Sequence, residues 1–214
     1  MVFLDVDHTL TRRTTGRRFA EYCFRLGLIT RRHLVPVPLF YLGYRMGWIT
    51  KGMIRRALRP IVGVHRRELE RLGRECFDQV IRYDIFEESL SEIRRLKEAG
   101  ERIVLATTSL DFIVAPLAEF LGVDDVIATK LEYSDGFATG ETAGPAVFRR
   151  EKHRRVFLFL ERLGISLSDC RFYTDSYHDL PLLTAIGHPV PTNPDFILRL
   201  HAWVLGWETR VFRR

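Results

Sequence analysis

The sequence predicts an α/β protein built on a doubly wound, mostly parallel sheet, with a helical segment inserted after the first strand. Three observations predict it. Short apolar runs end in carboxylates or hydroxyls, as buried parallel strands do when they deliver side chains to a site at their ends. Helical periodicities closed by glycine lie between these runs. Residues 12–84 offer several helix-like segments and no convincing buried strand.

Val2-Phe3-Leu4 is the first run and ends at Asp5. In the insertion, Phe19, Cys23 and Leu26 recur at helical spacing within 17–26, as do Leu69, Leu72, Cys76, Phe77 and Val80 within 66–81. Residues 33–48 are aromatic and apolar around Pro36 and Pro38 and read as the packed interior of a small helical cap. A helix over 86–99 closes at Gly100, and the run 102–106 ends in Thr107-Thr108-Ser109. A helix over 112–121 closes at Gly122, and the run 125–128 ends in Thr129-Lys130. Residues 131–140 read as a β-hairpin around Asp135-Gly136. A helix over 150–163 closes at Gly164, and the run 171–174 ends in Asp175. Residues 1–11 and 85–214 therefore form the core and 12–84 the helical cap. Open sheets of this kind bind ligands beyond the carboxyl ends of their strands.

Composition narrows the class. In 214 residues, 46% are hydrophobic and 28% charged, which supports a buried core and excludes a disordered or collagen-like chain. Cys23, Cys76 and Cys170 form neither a CxxC pair nor a zinc-ligand spacing, so no disulfide framework is expected and a reducing cytoplasm fits. Asp5 and Asp7 interrupt the amino-terminal apolar run, so no signal peptide is expected. The uncharged stretch 34–44 is too short to span a membrane. The net charge of +6 favours anionic partners, and only Lys51, Lys97, Lys130 and Lys152 are lysines, so arginine carries most of it.

Asp5-Val6-Asp7-His8-Thr9-Leu10-Thr11 places two carboxylates two residues apart just after a strand, where they can converge on one ligand. A carboxylate attacks phosphorus once a cation neutralises the approaching phosphate, and a second carboxyl can protonate the leaving oxygen. Asp175 and Asp179 follow another strand, and hard oxygen ligands of this kind suit Mg²⁺. Thr107, Thr108 and Ser109 at a strand end offer hydroxyl and amide donors to phosphate, and Lys152 lies near a helix start.

With these four segments in this order, the chain resembles the haloacid dehalogenase (HAD) superfamily, in particular its phosphoserine-phosphatase-like subfamily IB. The motifs are Asp5 to Thr11, Leu105-Ala106-Thr107-Thr108-Ser109, Lys152, and Tyr173-Thr174-Asp175-Ser176-Tyr177-His178-Asp179. The segment from Gly187 to Asp195 and Gly206-Trp207 are also similar to that subfamily, so the resemblance runs through the whole chain. It implies a HAD-like Rossmannoid core with a C1-type cap at 12–84. It also implies that Asp5 is the nucleophile that becomes an aspartyl-phosphate and that Asp7 is the general acid and base. Mg²⁺ would be held by Asp5, the main-chain carbonyl of Asp7 and Asp175, with Asp179 in support. Thr107, Thr108 and Lys152 would bind the phosphoryl oxygens. Two departures stand out: His8 occupies a position that is commonly Gly or Ser, and Arg12-Arg13-Thr14-Thr15-Gly16 replaces the stretch that supplies a substrate-binding Glu in phosphoserine phosphatases.

The resemblance implies a Mg²⁺-dependent phosphatase acting on a small soluble phosphorylated metabolite. A lipid-head-group phosphatase in peripheral contact with a membrane is the alternative, motivated by the positive charge and the apolar stretch 34–44. Arginine pairs such as Arg31-Arg32 and Arg154-Arg155 are dispersed and accompany no nucleic-acid-binding signature, so no nucleic-acid partner is expected. Arg12, Arg13, Arg17 and Arg18 are candidates for a substrate's second anionic group.

Overall fold

The computed structural model describes residues 1–31, 43 and 50–212, and its elements are numbered here along those residues. Five strands form one sheet: β1 (Val2–Leu4), β2 (Ile103–Leu110), β3 (Asp125–Thr129), β6 (Arg171–Thr174) and β7 (His188–Pro191). Their order is β3-β2-β1-β6-β7 and every pairing is parallel. The chain winds outward from β1 to β3, then returns past β1 to build β6 and β7, so the winding reverses at β1. Ligand sites lie at such reversals. The strand β7 was not read from the sequence.

Alternation along the strands sends side chains to opposite faces, and each face has its own core. Val2, Leu4, Ile103 and Leu105 pack with α1 (Thr15–Arg25), α3 (Arg66–Gln79), α4 (Glu87–Glu98) and α5 (Asp111–Leu121). Phe3, Val104, Ala106 and Phe172 pack with α6 (Arg150–Leu163), α7 (Leu180–Leu183) and α8 (Phe196–Leu205). The sheet is therefore doubly wound, as the sequence predicts. Gly122 and Gly164 cap α5 and α6 in the left-handed conformation at φ 58° and 67°, which is why these helices stop where glycine stands.

The insertion contributes α1, α2 (Lys51–Leu58) and α3. Apart from Gly43, the apolar stretch 34–44 lies outside the described residues. Helices α1 and α3 share one continuous core with the sheet: Phe19, Leu69, Leu72 and Cys76 lie in the same cluster as Val2 and Leu105. At the crossing of α3 and α5 a side chain at Gly73 would sit 2.4 Å from the Phe112 carbonyl oxygen, so only glycine allows this approach.

The hairpin forms as β4 (Leu131–Ser134) and β5 (Phe137–Thr142), with Asp135 and Gly136 both at positive φ, 49° and 85°. It pairs with the segment joining α2 to α3. The Gly63 amide donates to the Ala138 carbonyl at 2.8 Å, the Ala138 amide to Val64 at 3.0 Å, and the Arg66 amide to Gly136 at 2.8 Å. Arg55 of α2 meets Glu141 of β5 at 2.5 Å. The sequence places the hairpin in the core; its hydrogen bonds attach it to the insertion.

Candidate active site

The parallel register assembles the site. Leu4 of β1 pairs with Leu105 of β2 and with Tyr173 of β6, so Asp5 and Asp175 leave neighbouring strand ends at about the level of Thr107, which lies within β2. All three are buried, at 4%, 6% and 1% exposure. Beyond Asp5 the chain turns sharply: the Val6 carbonyl accepts from the Leu10 amide at 2.8 Å and the Thr11 amide at 3.1 Å. His8 takes φ 61°, the left-handed region that favours glycine. Its imidazole Nδ1 lies 3.1 Å from the Arg12 carbonyl oxygen, so the ring closes the loop locally.

Lys152 is the central cation. It comes from the first turn of α6 and is 2% exposed, with its Nζ 3.2 Å from Asp5 Oδ1 and 2.7 Å from Asp179 Oδ2. Asp179 Oδ2 also accepts from Thr174 Oγ1 at 2.7 Å. Burial works against the Lys152 charge, but Asp179 and Asp5 outweigh it and hold the ammonium protonated. Burial pushes the Asp5 carboxyl up to about 7, opposed by Lys152 and reinforced by Asp179 and Asp7. Burial, then Asp5 and Asp179, lifts Asp175 well above the ordinary carboxylate range.

Asp7 is held differently. Its Oδ1 accepts from the Thr15 amide at 2.8 Å and the Thr15 hydroxyl at 2.9 Å, and its Oδ2 accepts from Ser109 Oγ at 3.0 Å. The Thr15 and Ser109 hydroxyls lie 2.7 Å apart. The carboxylate therefore faces the first residue of α1, where free amides favour negative charge. Thr15 and Ser109 are the partners that sequence reading did not assign to Asp7. They lie in the insertion and on β2, and no local pattern links them to Asp7.

Of the expected phosphate ligands, Thr107 lies beside Asp5, with its Oγ1 accepting from the Ser109 amide at 3.2 Å. Thr108 turns its side chain elsewhere. Strand alternation turns its hydroxyl away from the Thr107 side, where it donates to the Val147 carbonyl at 2.8 Å. The Thr108 side chain thus holds the loop before α6. Arg17 and Arg18 are also placed differently from expectation: Arg17 pairs with Glu21 at 2.7 Å, and Arg18 with Glu21 and Asp84. Arg12 lies over the Phe86 ring at 5.7 Å. Arg13 is exposed, in the loop that joins Asp7 to α1.

The oxygen donors suit a hard cation. Asp5, Asp175 and Asp179 gather negative charge around the Lys152 ammonium, Asp7 acts on Asp5, and buried Asp5 lifts the pKa of buried Asp175. Among the described residues no three His, Cys, Asp or Glu side chains form a ready cage. Mg²⁺ needs none, since it is commonly held by one or two carboxylates and keeps several waters.

The model of the haloacid dehalogenase-like hydrolase family matches residues 2–184. The chain belongs to that family. Phosphoserine phosphatase SerB1 of Mycobacterium tuberculosis is 31% identical over 99% of this chain and 70% of its own length. Histidinol-phosphatase of Neisseria meningitidis serogroup C is 27% identical over 100% of this chain and 99% of its own length. A Bordetella pertussis Tohama I protein of unknown function superposes with a TM-score of 0.89 at 30% identity, covering 98% of this chain and 97% of that one. A phosphoserine phosphatase solved as a phospho-aspartyl intermediate analogue shares the fold, with a TM-score of 0.72 at 18% identity over 100% and 93% of the two chains. As a HAD hydrolase with phosphatase relatives, this protein is a phosphoric monoester hydrolase.

Proposed function

We propose that the protein hydrolyses a small phosphorylated metabolite by way of an aspartyl-phosphate on Asp5, with Mg²⁺ as cofactor. The observation that carries this reading is the Asp5–Lys152–Asp179 array, which keeps a buried carboxylate oriented and next to a fixed positive charge. Lys152 and the Thr107 hydroxyl and amide bind the phosphoryl oxygens, which offsets the repulsion between phosphate and Asp5. An Asp5 oxygen bonds to phosphorus as the ester P–O bond breaks, and Asp7 gives its proton to the departing alkoxide. Asp7 then takes a proton from water, the water oxygen bonds to phosphorus, and the Asp5–phosphorus bond breaks to release inorganic phosphate. Asp5, Asp175 and the Asp7 carbonyl would hold Mg²⁺, which supplies charge neutralisation at the phosphoryl group.

Residues 12–84, with the hairpin 131–142 attached to them, form the cap that selects the substrate in this proposal. Thr15 supports it: the residue that opens the inserted helix holds Asp7. Arg13 is the candidate for a second anionic group, such as a carboxylate, on the substrate. Phosphoserine and histidinol phosphate, named in two relatives, are both phosphate esters of small amino compounds and head the substrate panel. The test measures phosphate release from these two, from p-nitrophenyl phosphate and from a lipid phosphomonoester, with Mg²⁺ and with EDTA. The proposal expects turnover of a small ester that needs Mg²⁺ and is absent in Asp5→Asn. Turnover confined to the lipid, or unchanged by EDTA, would refute it.

A further inference from the structure

Helix α8 presents its apolar side outward. Only Leu198 and Ala202 of its ten residues are buried, and they lie one turn apart on the side that meets the second core. At 100° per residue, the arc opposite them carries Phe196, Leu200, Trp203 and Val204, with Ile197 at its edge. Phe196 and Trp203 are each 80% exposed. A patch of this kind, on a helix that packs over one face of the sheet, is more than scattered surface hydrophobicity.

The residues that border the patch indicate what it meets. Arg199 flanks the apolar arc on one side and His201 on the other, and both are exposed. No acidic residue lies within Phe196–Leu205. Two copies joined through this face would offer the Arg199 guanidinium no carboxylate from the facing helix. An anionic surface meets both parts of the pattern at once: acyl chains take the aromatic and branched side chains, and head groups pair with Arg199. The protein's +6 charge adds long-range attraction of the same sign. No helix among the described residues is long and apolar enough to cross a bilayer, so contact through α8 would lie along the surface.

We propose that α8 is a membrane-surface helix that docks the enzyme on anionic lipid, independently of which phosphate ester it hydrolyses. The test is co-sedimentation of the purified protein with vesicles of phosphatidylcholine alone and of phosphatidylcholine with phosphatidylglycerol, at low and high salt. The proposal expects binding to the anionic vesicles that falls at least tenfold at high salt or when phosphatidylglycerol is omitted. Leu200→Glu combined with Trp203→Glu should abolish it. Arg199→Gln should weaken binding to the anionic vesicles by a few-fold. Hydrolysis of p-nitrophenyl phosphate by these variants should match wild type and report an intact fold; if the double variant fails to fold, Arg199→Gln alone carries the test. Absence of vesicle binding by wild type, or binding that Arg199→Gln leaves unchanged, overturns the proposal. So does light scattering that finds a dimer which Trp203→Glu converts to monomer, since the face would then join two copies.

Discussion

Replacing Lys152 with Met tests the electrostatic core of the site without touching its packing. Methionine keeps an unbranched stem of similar length in the same buried position beside the Phe172 ring, so the change removes mainly charge. At an effective dielectric of about 20, contacts of 3.2 and 2.7 Å correspond to gross attractions of about 5 and 6 kcal/mol, which burial of the ammonium largely offsets. What matters is what stays behind: buried carboxylates with no counter-charge, a situation that costs about 3–5 kcal/mol. Measured in EDTA at pH 8, that loss lowers the urea midpoint by about 1–2 M. The pH dependence has a definite sign. Asp5 is pushed up to about 7 even with Lys152 beside it, against an unfolded value of 3.8, and without the ammonium it rises further. A carboxyl that binds its proton more tightly in the folded state gains stability as pH falls through its folded pKa. The deficit should therefore shrink by about 1 kcal/mol or more between pH 8 and pH 5, at about 1.4 kcal/mol per unit of pKa. Adding Asp179→Asn should restore part of the loss, because one stranded charge is gone. A deficit below about 1 kcal/mol at pH 8, or one that grows on acidification, would refute the reading of Lys152 as the counter-charge of buried carboxylates.

Three further outcomes are expected. Asp5→Asn should abolish phosphate release while its metal-free melting temperature at pH 8 stays at or above wild type, because the change removes a buried carboxylate that repels Asp175 and Asp179; a marked drop would show that Asp5 serves the fold. Thr15→Val removes one hydroxyl bond to Asp7 and the contact with Ser109, and should lower kcat about tenfold on an alkyl phosphate, with a smaller loss on p-nitrophenyl phosphate, whose leaving group needs less protonation. Equal losses on both substrates would separate Thr15 from the acid step. Gly73→Ala would force a methyl against the Phe112 carbonyl and should cost about 1–3 kcal/mol in urea unfolding. An unchanged midpoint would mean that α3 and α5 yield at their crossing.

Much of the candidate site was legible because parallel strands are written locally: a few apolar residues, then a polar one at the site. Asp5, Thr107 and Asp175 each end such a run, and the register brings them together. What escaped depended on distance in sequence or on an unusual composition. His188–Pro191 holds two prolines in four residues, and such a segment serves as a strand only at a sheet edge, where β7 pairs with β6 alone. Thr15 and Ser109 are 94 residues apart, and only the fold places both on Asp7. Arg17 and Arg18 read as free cations because Glu21 and Asp84 carry no label in the sequence as their partners. Thr108 looked equivalent to Thr107 until the strand continued to Leu110 and alternation separated their faces.

The core that α1 and α3 share with the sheet has a consequence for how the protein comes apart. A lid with a core of its own can open or unfold while the remainder stands, and its amides then exchange with solvent ahead of the sheet. Here Phe19, Leu69, Leu72 and Cys76 pack in one cluster with Val2 and Leu105, and the α3 backbone reaches the α5 backbone at Gly73. Loss of either helix would open the core on one face of the sheet. Protection of amides in α1 and α3 should therefore collapse in the same cooperative step as that of β1 and β2. The helix start that holds Asp7 would then be as durable as the strand that carries Asp5.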